Sequence, residues 1–277
     1  MNYFSVFCLS CTLLLLPLSL AGSGRFLSGG RAAAMANASV AIYDTWSVSH
    51  NQAGMTHTGN ITAALYTENR FLLPELSLAS FVVIIPLSGS TLGVSFSGFG
   101  NSLYREGKAG IAYARSFGDK LSAGLKISYH YAALADGYGQ NGTAVAELGI
   151  IYELKPGLLI ASHILNPSRS GWSACPYSGS ATNIPTIIRT GLSYSFSDKV
   201  MLNLEAAKDI RFPPVFRAGV EYVAGDALVL RTGVSTRPLQ NAFGMGFQTG
   251  RLKIDMAATY HYALGYSPSV AMVYTLH

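Results

Sequence analysis

From residue 58 to the C-terminus, apolar residues alternate with small or polar ones. Leu92-Gly-Val-Ser-Phe-Ser-Gly-Phe and Leu121-Ser-Ala-Gly-Leu-Lys-Ile-Ser-Tyr-His-Tyr place apolar groups at every second position. Thr186-Ile-Ile-Arg-Thr-Gly-Leu-Ser-Tyr-Ser-Phe and Val270-Ala-Met-Val-Tyr-Thr-Leu do much the same. A period of two puts those side chains on one face of a strand. The other face carries Gly, Ser, Ala, Thr and an occasional charge. The pattern predicts strands over 58–71, 74–87, 90–100, 108–117, 121–135, 143–154, 158–166, 184–197, 200–210, 215–224, 228–236, 242–249, 252–263 and 268–276. That is about fourteen, an even number, as single-chain bacterial barrels require.

The connections carry the barrel reading further. Every second one is tight: Phe117-Gly-Asp-Lys120, Lys155-Pro-Gly157, Ser197-Asp-Lys199, Gly225-Asp226 and Gly250-Arg251. Those between are longer, at Gly100–Gly107, Asp136–Gly142 and above all Asn166–Asn183, which contains Cys175. Short turns on one rim and longer loops on the other are the habit of outer-membrane barrels. The same turn chemistry recurs in Ser-Phe-Gly-Asp-Lys-Leu (116–121) and Ser-Phe-Ser-Asp-Lys-Val (195–200). The fold class expected is therefore all-β: a transmembrane, antiparallel up-and-down β-barrel of about 14 strands over residues 58–277.

Composition strengthens this. Charged residues make up 12% of the 277, about half the roughly 25% of soluble domains, and mean hydropathy is +0.30. No stretch past residue 21 reaches the ~18 apolar residues of a membrane helix; Leu78–Leu87 is broken by Ser80 and Pro86. Tyr and Phe near strand ends (Tyr113, Phe117, Tyr129, Tyr194, Phe196 and Tyr274 among them) suit interfacial girdles. The net charge of +5 comes without a clustered Lys/Arg run, so nucleic acid is not an expected partner.

Catalytic and metal chemistry are not expected. There is no nucleophile elbow, and the six His lack the i, i+4 pairing of a zinc site. Cys175 alone remains after residue 21, which rules out an intrachain disulfide in the mature chain. Asp119, Asp198 and Asp226 sit at turns, where Asp bonds its own backbone. Glu147, Glu205 and Glu221 fall within strands and are expected to face the lumen, pairing with Arg189, Lys208 or Arg217. The reading is a non-enzyme without cofactor or metal, in contact with outer-membrane lipid.

Two segments precede the strands. Residues 1–21 read as an export signal: Leu13–Leu16, then Pro17, then Ser19-Leu20-Ala21 as a small-x-small cleavage site. Residues 22–57 form an Ala-rich, plug-like segment. Between Gly29 and Met55 the only charges are Arg31 and Asp44. Such a stretch has to bury itself against the rest of the chain, and a barrel of this size has room. Eight strands already suffice for wall side chains to fill an interior. Arg31, Met35, Asp44, Asn51 and Gly54 are the candidate residues for this role.

The order Gly-x-Arg-Ala-x-x-Met-x-x-Ala-x-Val-Ala, then Asp44, then Asn51-Gln-Ala-Gly-Met55, resembles the N-terminal segment of FadL-like outer-membrane barrels. It is closest to the PorV/PorQ-like branch of Bacteroidota found with type IX secretion. Thr45 stands where that branch has a second Asp, and Gln52 replaces its Pro. Leu165-Asn166-Pro167 also looks like the family's mid-barrel pattern. The resemblance implies a fourteen-stranded fold in the bacterial outer membrane. From the PorV/PorQ side it implies an accessory barrel that binds secretion-system or secreted proteins. From the FadL side it implies a channel for small hydrophobic molecules, plugged by the N-terminal segment and emptied sideways through the wall.

Overall fold

The computed structural model describes residues 26–135, 140–172 and 184–276. The expected export signal and the Cys175 loop position lie outside them. Fourteen antiparallel strands close on themselves in strict chain order. They are β1 (Thr62–Asn69), β2 (Ser77–Leu87), β3 (Ser90–Gly100), β4 (Tyr104–Phe117), β5 (Leu121–Leu134), β6 (Gln140–Lys155) and β7 (Leu158–Leu165). The second half is β8 (Ile187–Ser197), β9 (Val200–Asp209), β10 (Val215–Val223), β11 (Leu228–Thr236), β12 (Leu239–Thr249), β13 (Leu252–His261) and β14 (Gly265–Thr275). The ring closes where β1 pairs with β14, from Thr62 opposite Thr275 to Glu68 opposite Ser269.

The wall is polar or small inside and apolar outside. On β5, Ser122, Gly124, Lys126, Ser128 and His130 are buried, while Leu125, Ile127 and Tyr129 stand 47–62% exposed. Exposed apolar side chains on a closed sheet are those a bilayer covers, since the barrel leaves no backbone edge to satisfy. β2 is apolar on both faces: Phe81 and Ile85 face out, whereas Leu78, Val82 and Ile84 are fully buried inside. That double duty accounts for the unbroken look of Leu78–Leu87 in the sequence.

The tight rim has the expected turns, with β2–β3 joined by Ser88-Gly89 and β12–β13 by Gly250-Arg251. On the opposite rim, two strands begin earlier than expected. β4 begins at Tyr104 and β6 at Gln140, so most of Gly100–Gly107 and all of residues 140–142 are strand, while residues 136–139 lie outside the described ones. β11 and β12 are joined by Arg237-Pro238 alone. These strand ends carry charged residues because charge is tolerated in the lumen: Glu106 and Lys108 are buried there. Lys208 departs from expectation in the other direction. It is exposed on the outer face, donates to the Phe212 carbonyl, and does not join the lumen carboxylates.

Candidate functional site

Residues 28–55 occupy the lumen and are almost entirely buried. A short helix, α1 (Gly30–Ala34), is followed by turns, a single helical turn α2 (Ser47–His50) and a 3-10 turn over Gln52–His57. Gly29 enters α1 at φ 122, and a Cβ there would meet the Trp46 ring at 2.6 Å. Gly54 is equally confined, since a Cβ would lie 2.5 Å from both the Ile42 carbonyl oxygen and Ser47 Oγ. Ser47 Oγ donates to the Ile42 carbonyl (2.9 Å) and accepts from Asp44 N (3.1 Å), which folds the middle of the segment back on itself.

Wall glycines receive this segment around most of the circumference. A Cβ on Gly149 would sit 2.0 Å from Asn51 Oδ1, and one on Gly124 would sit 2.6 Å from Ala53 N. Gly219 and Gly233, opposite each other on β10 and β11, leave room for Met35, with approaches of 2.5 and 2.3 Å. Gly191 meets Val40 at 2.7 Å, Gly244 meets Ala34 at 2.7 Å, and Gly93 meets the Met55 sulfur at 2.6 Å. Each of these glycines points inward from a strand; at Gly124 and Gly233 the segment's main chain packs on the wall's main chain, and at the others a segment side chain fills the space. Glycine at a strand interior marks such close backbone approach.

The contact has two chemical halves. Against β14 and β1–β4 it is apolar: Trp46, Val48 and Met55 pack with Ala64, Tyr66, Leu78, Val82, Ile84, Phe99 and Val273. Elsewhere the wall supplies three ion clusters. Arg31 donates from Nε and Nη2 to the two Glu221 oxygens at 2.8 Å each, and Asp44 lies 3.9 Å from Arg31 Nη1. Glu221 also accepts from Arg231, which reaches Asp255 as well, both at 2.6 Å. Burial opposes the Arg31 charge, but Glu221 and then Asp44 hold its pKa above the ordinary value.

In the second cluster Glu205 pairs with Arg189 (2.7 Å) and Arg217 (2.6 Å) and accepts from the backbone N–H groups of Ser39 (3.0 Å) and Val40 (2.9 Å). Arg189 goes on to the carbonyls of Asn37 and His50. His50 Nε2 donates to the Ser28 carbonyl at 2.7 Å; burial first, and the Arg189 charge second, push this imidazole down to about 3, so it stays neutral. In the third, Glu147 pairs with Lys108 at 2.7 Å and accepts from Gln52 Nε2, while Lys126 donates to the Val48 carbonyl at 3.0 Å. Asn51 stitches the segment to the seam between β6 and β7: its Nδ2 donates to the carbonyls of Val40 (2.8 Å), Ile150 (3.3 Å) and Ser162 (3.5 Å). Its Oδ1 accepts from Ala53 N.

Of the five candidates from the sequence, Arg31 makes an ion pair with the wall, Met35 fills the Gly219–Gly233 recess and Asn51 bonds two strands. Gly54 serves the segment's internal fold, and Asp44 approaches Arg31 and Ser47. Sequence reasoning did not find Arg231, Asp255, Lys108, Lys126 or the glycines. The available signal was glycine at alternating, inward strand positions. Among the described residues, no group of three or more His, Cys, Asp or Glu is placed to hold a metal ion.

No family profile and no curated protein matches the sequence. Solved structures do resemble the fold. CymD, a monoaromatic hydrocarbon channel, aligns with a TM-score of 0.67 at 13% identity, covering 90% of this chain and 98% of that one. The Pseudomonas putida toluene transporter TodX aligns at 0.67 and 12% identity, with the same coverage. A Pseudomonas aeruginosa FadL homologue aligns at 0.63 and 11% identity, again over 90% and 98%. Taken with the closed strand order, the likeness defines the fold as a FadL-like, fourteen-stranded transmembrane barrel.

Proposed function

We propose that the protein is an outer-membrane channel for small hydrophobic molecules, held shut by residues 28–55. The carrying observation is the apolar half of the lumen, lined by Tyr66, Leu78, Val82, Ile84, Phe99 and Val273 and covered by Trp46, Val48 and Met55. A water-filled sugar or ion pore has no use for such a face, whereas an apolar solute gains free energy from it in proportion to the area it buries. The structural neighbours support the reading: two are hydrocarbon channels by name, and a third is a FadL homologue. In this mechanism the ion clusters keep the segment attached to β5–β13 while the side chains of Trp46, Val48 and Met55 yield the apolar face to the solute. The test is uptake of labelled toluene by cells with and without the gene, at an external concentration where diffusion through the lipopolysaccharide leaflet is limiting. Equal rates in the two strains would overturn the proposal.

One observation favours a second reading, in which the barrel is an accessory that binds secretion-system or secreted proteins in the PorV/PorQ manner. Hydrophobic-molecule channels of this fold build an outer ligand site from long loops, yet here β11–β12 turns on two residues and β3–β4 on three. Its other support is the N-terminal resemblance read from the sequence; the comparisons lend it none. Unchanged toluene uptake together with loss of secreted proteins from the medium of the deletion strain would favour it.

A further inference from the structure

A depression crosses β4–β7 on the lipid-facing wall. Outward positions on these strands are mostly large, but Ala123 on β5 and Ser162 on β7 are small, and the strand backbone at the inward-pointing Gly124 and Gly149 forms part of the floor. Tyr113, Phe117, Leu125, Leu148, Ile150 and Ile164 rise on either side. The groove encloses about 540 Å³, within the ~300–1,000 Å³ of small-molecule sites. The polar residues lining it are Ser162, whose hydroxyl is already used by the Arg189 carbonyl and Thr190, His163, whose ring is buried toward Glu147, and Arg115.

Arg115 sets the chemistry. It points outward and is exposed, two residues before the end of β4, beside the Gly118–Lys120 turn. Charge on a barrel's lipid face is disfavoured at the midplane and tolerated near the interface, so this position places the guanidinium at headgroup depth. The ring of Phe117 lies 5.9 Å from it and steers it along the wall. Lys120 in the adjoining turn and Lys155 at the end of β6 flank the same rim, with Lys155 Nζ held 5.4 Å from the Tyr194 ring. The carboxylates nearby do not cancel this charge. Asp119 is one residue in the same turn, and Glu153 acts on Tyr43 and His57 on the lumen side. The groove thus joins an apolar trough, running toward the membrane centre, to a cationic end at the short-turn rim.

We infer that this groove holds one acyl chain of an anionic glycerophospholipid from the leaflet at the short-turn rim, with the lipid phosphate on the Arg115 guanidinium. Guanidinium matches phosphate with paired, charge-assisted hydrogen bonds. An acyl chain fits the trough because Ala123 and Ser162 leave a chain-wide gap where neighbouring outward positions carry Leu, Ile or Tyr.

Native mass spectrometry of the detergent-purified barrel, equilibrated with equal amounts of dioleoyl phosphatidylglycerol and dioleoyl phosphatidylcholine, tests this. The wild type should retain one phosphatidylglycerol with a preference on the order of tenfold, the worth of one charge-assisted contact. Arg115→Gln should bring the two lipids to parity. Ala123→Phe should abolish retention of both, while Val234→Phe, an outward change on β11, should leave the wild-type result. Heat-modifiable gel mobility confirms that each variant is folded. Inorganic phosphate should not displace the lipid; displacement would make this a phosphate site and overturn the proposal. Equal retention of the two lipids by the wild type, or a preference that survives Arg115→Gln, would overturn it as well.

Discussion

Arg31 and Glu221 form a two-point ion pair, Nε and Nη2 each 2.8 Å from a different carboxylate oxygen. It joins a residue that precedes the barrel to one on its tenth strand. The two partners are not equally dependent on it. Without Arg31, Glu221 keeps Arg231; without Glu221, Arg31 is left with Asp44 at 3.9 Å, while Arg231 keeps Asp255. Removing one partner of a buried pair costs about 3–5 kcal/mol when a charge is left uncompensated. Glu221→Ala should therefore lower the temperature of heat-modification more than Arg31→Ala does. Equal shifts would show that Asp44 compensates fully.

The wall glycines give a second prediction. Gly149→Ala and Gly124→Ala place a methyl group within 2.0 and 2.6 Å of the lumen segment. Overpacking of this kind costs about 1–3 kcal/mol. Gly98→Ala, which meets nothing within 4 Å, is the matched control. Thermal denaturation in detergent should separate the first two from the third.

Asn51 supplies a third. Asn51→Ala strips a donor from the Val40, Ile150 and Ser162 carbonyls and an acceptor from Ala53 N, at about 1–3 kcal/mol for the groups left unsatisfied. Asn51→Asp should be worse, because it turns an acceptor toward three carbonyl oxygens. If the aspartate variant melts at or above the alanine variant, the stitching role is wrong.

Acid should loosen the segment through His50. This imidazole is held down to about 3 in the fold, against 6.5 for the free group. Between those values the unfolded chain binds the proton and the fold does not, so the contribution is complete above pH 6.5 and is lost as pH falls toward 3. His50→Gln removes the titration while keeping a donor for Ser28. The stability difference between wild type and variant, measured by thermal unfolding, should move against the wild type from pH 7 to pH 4. A difference independent of pH would contradict this.

Deleting residues 29–55 while keeping the signal should turn a nearly non-conducting protein into an open channel in planar bilayers. The fourteen-stranded wall that remains is wider than its inward glycines and alanines can fill. Unchanged conductance in a folded truncation would make the segment a docking surface instead.

Strand number and the tight rim were legible in the sequence because period-two alternation and Asp-Lys or Pro-Gly turns are local signals. The early starts of β4 and β6 were not. Arg105-Glu106-Gly107 and Gln140-Asn141-Gly142 read as loop because polar residues end a strand in most settings, whereas this barrel turns Glu106 inward. The glycine recess was hidden for another reason. Gly124 and Gly149 are remote in sequence, and only the β5–β6 register sets them opposite each other. Arg31 and Asp44 stood out as the segment's only charges, but nothing local could tell which wall carboxylate or guanidinium would face them.

The glycine-lined course of the segment also bears on how the molecule is made. The segment passes β13, β10–β11, β8, β6, β5 and β3 in turn, with Trp46 and two methionines wedged among wall side chains. Its downstream end runs straight into β1, one side of the seam with β14. A ring already zipped would have to admit those bulky groups end-on past charged side chains. The expected order of biogenesis is the reverse: strands gather around a pre-seated core, and the hydrogen bonds between Thr62–Glu68 and Ser269–Thr275 form last. A membrane receiving such a product is never breached by an unstoppered intermediate.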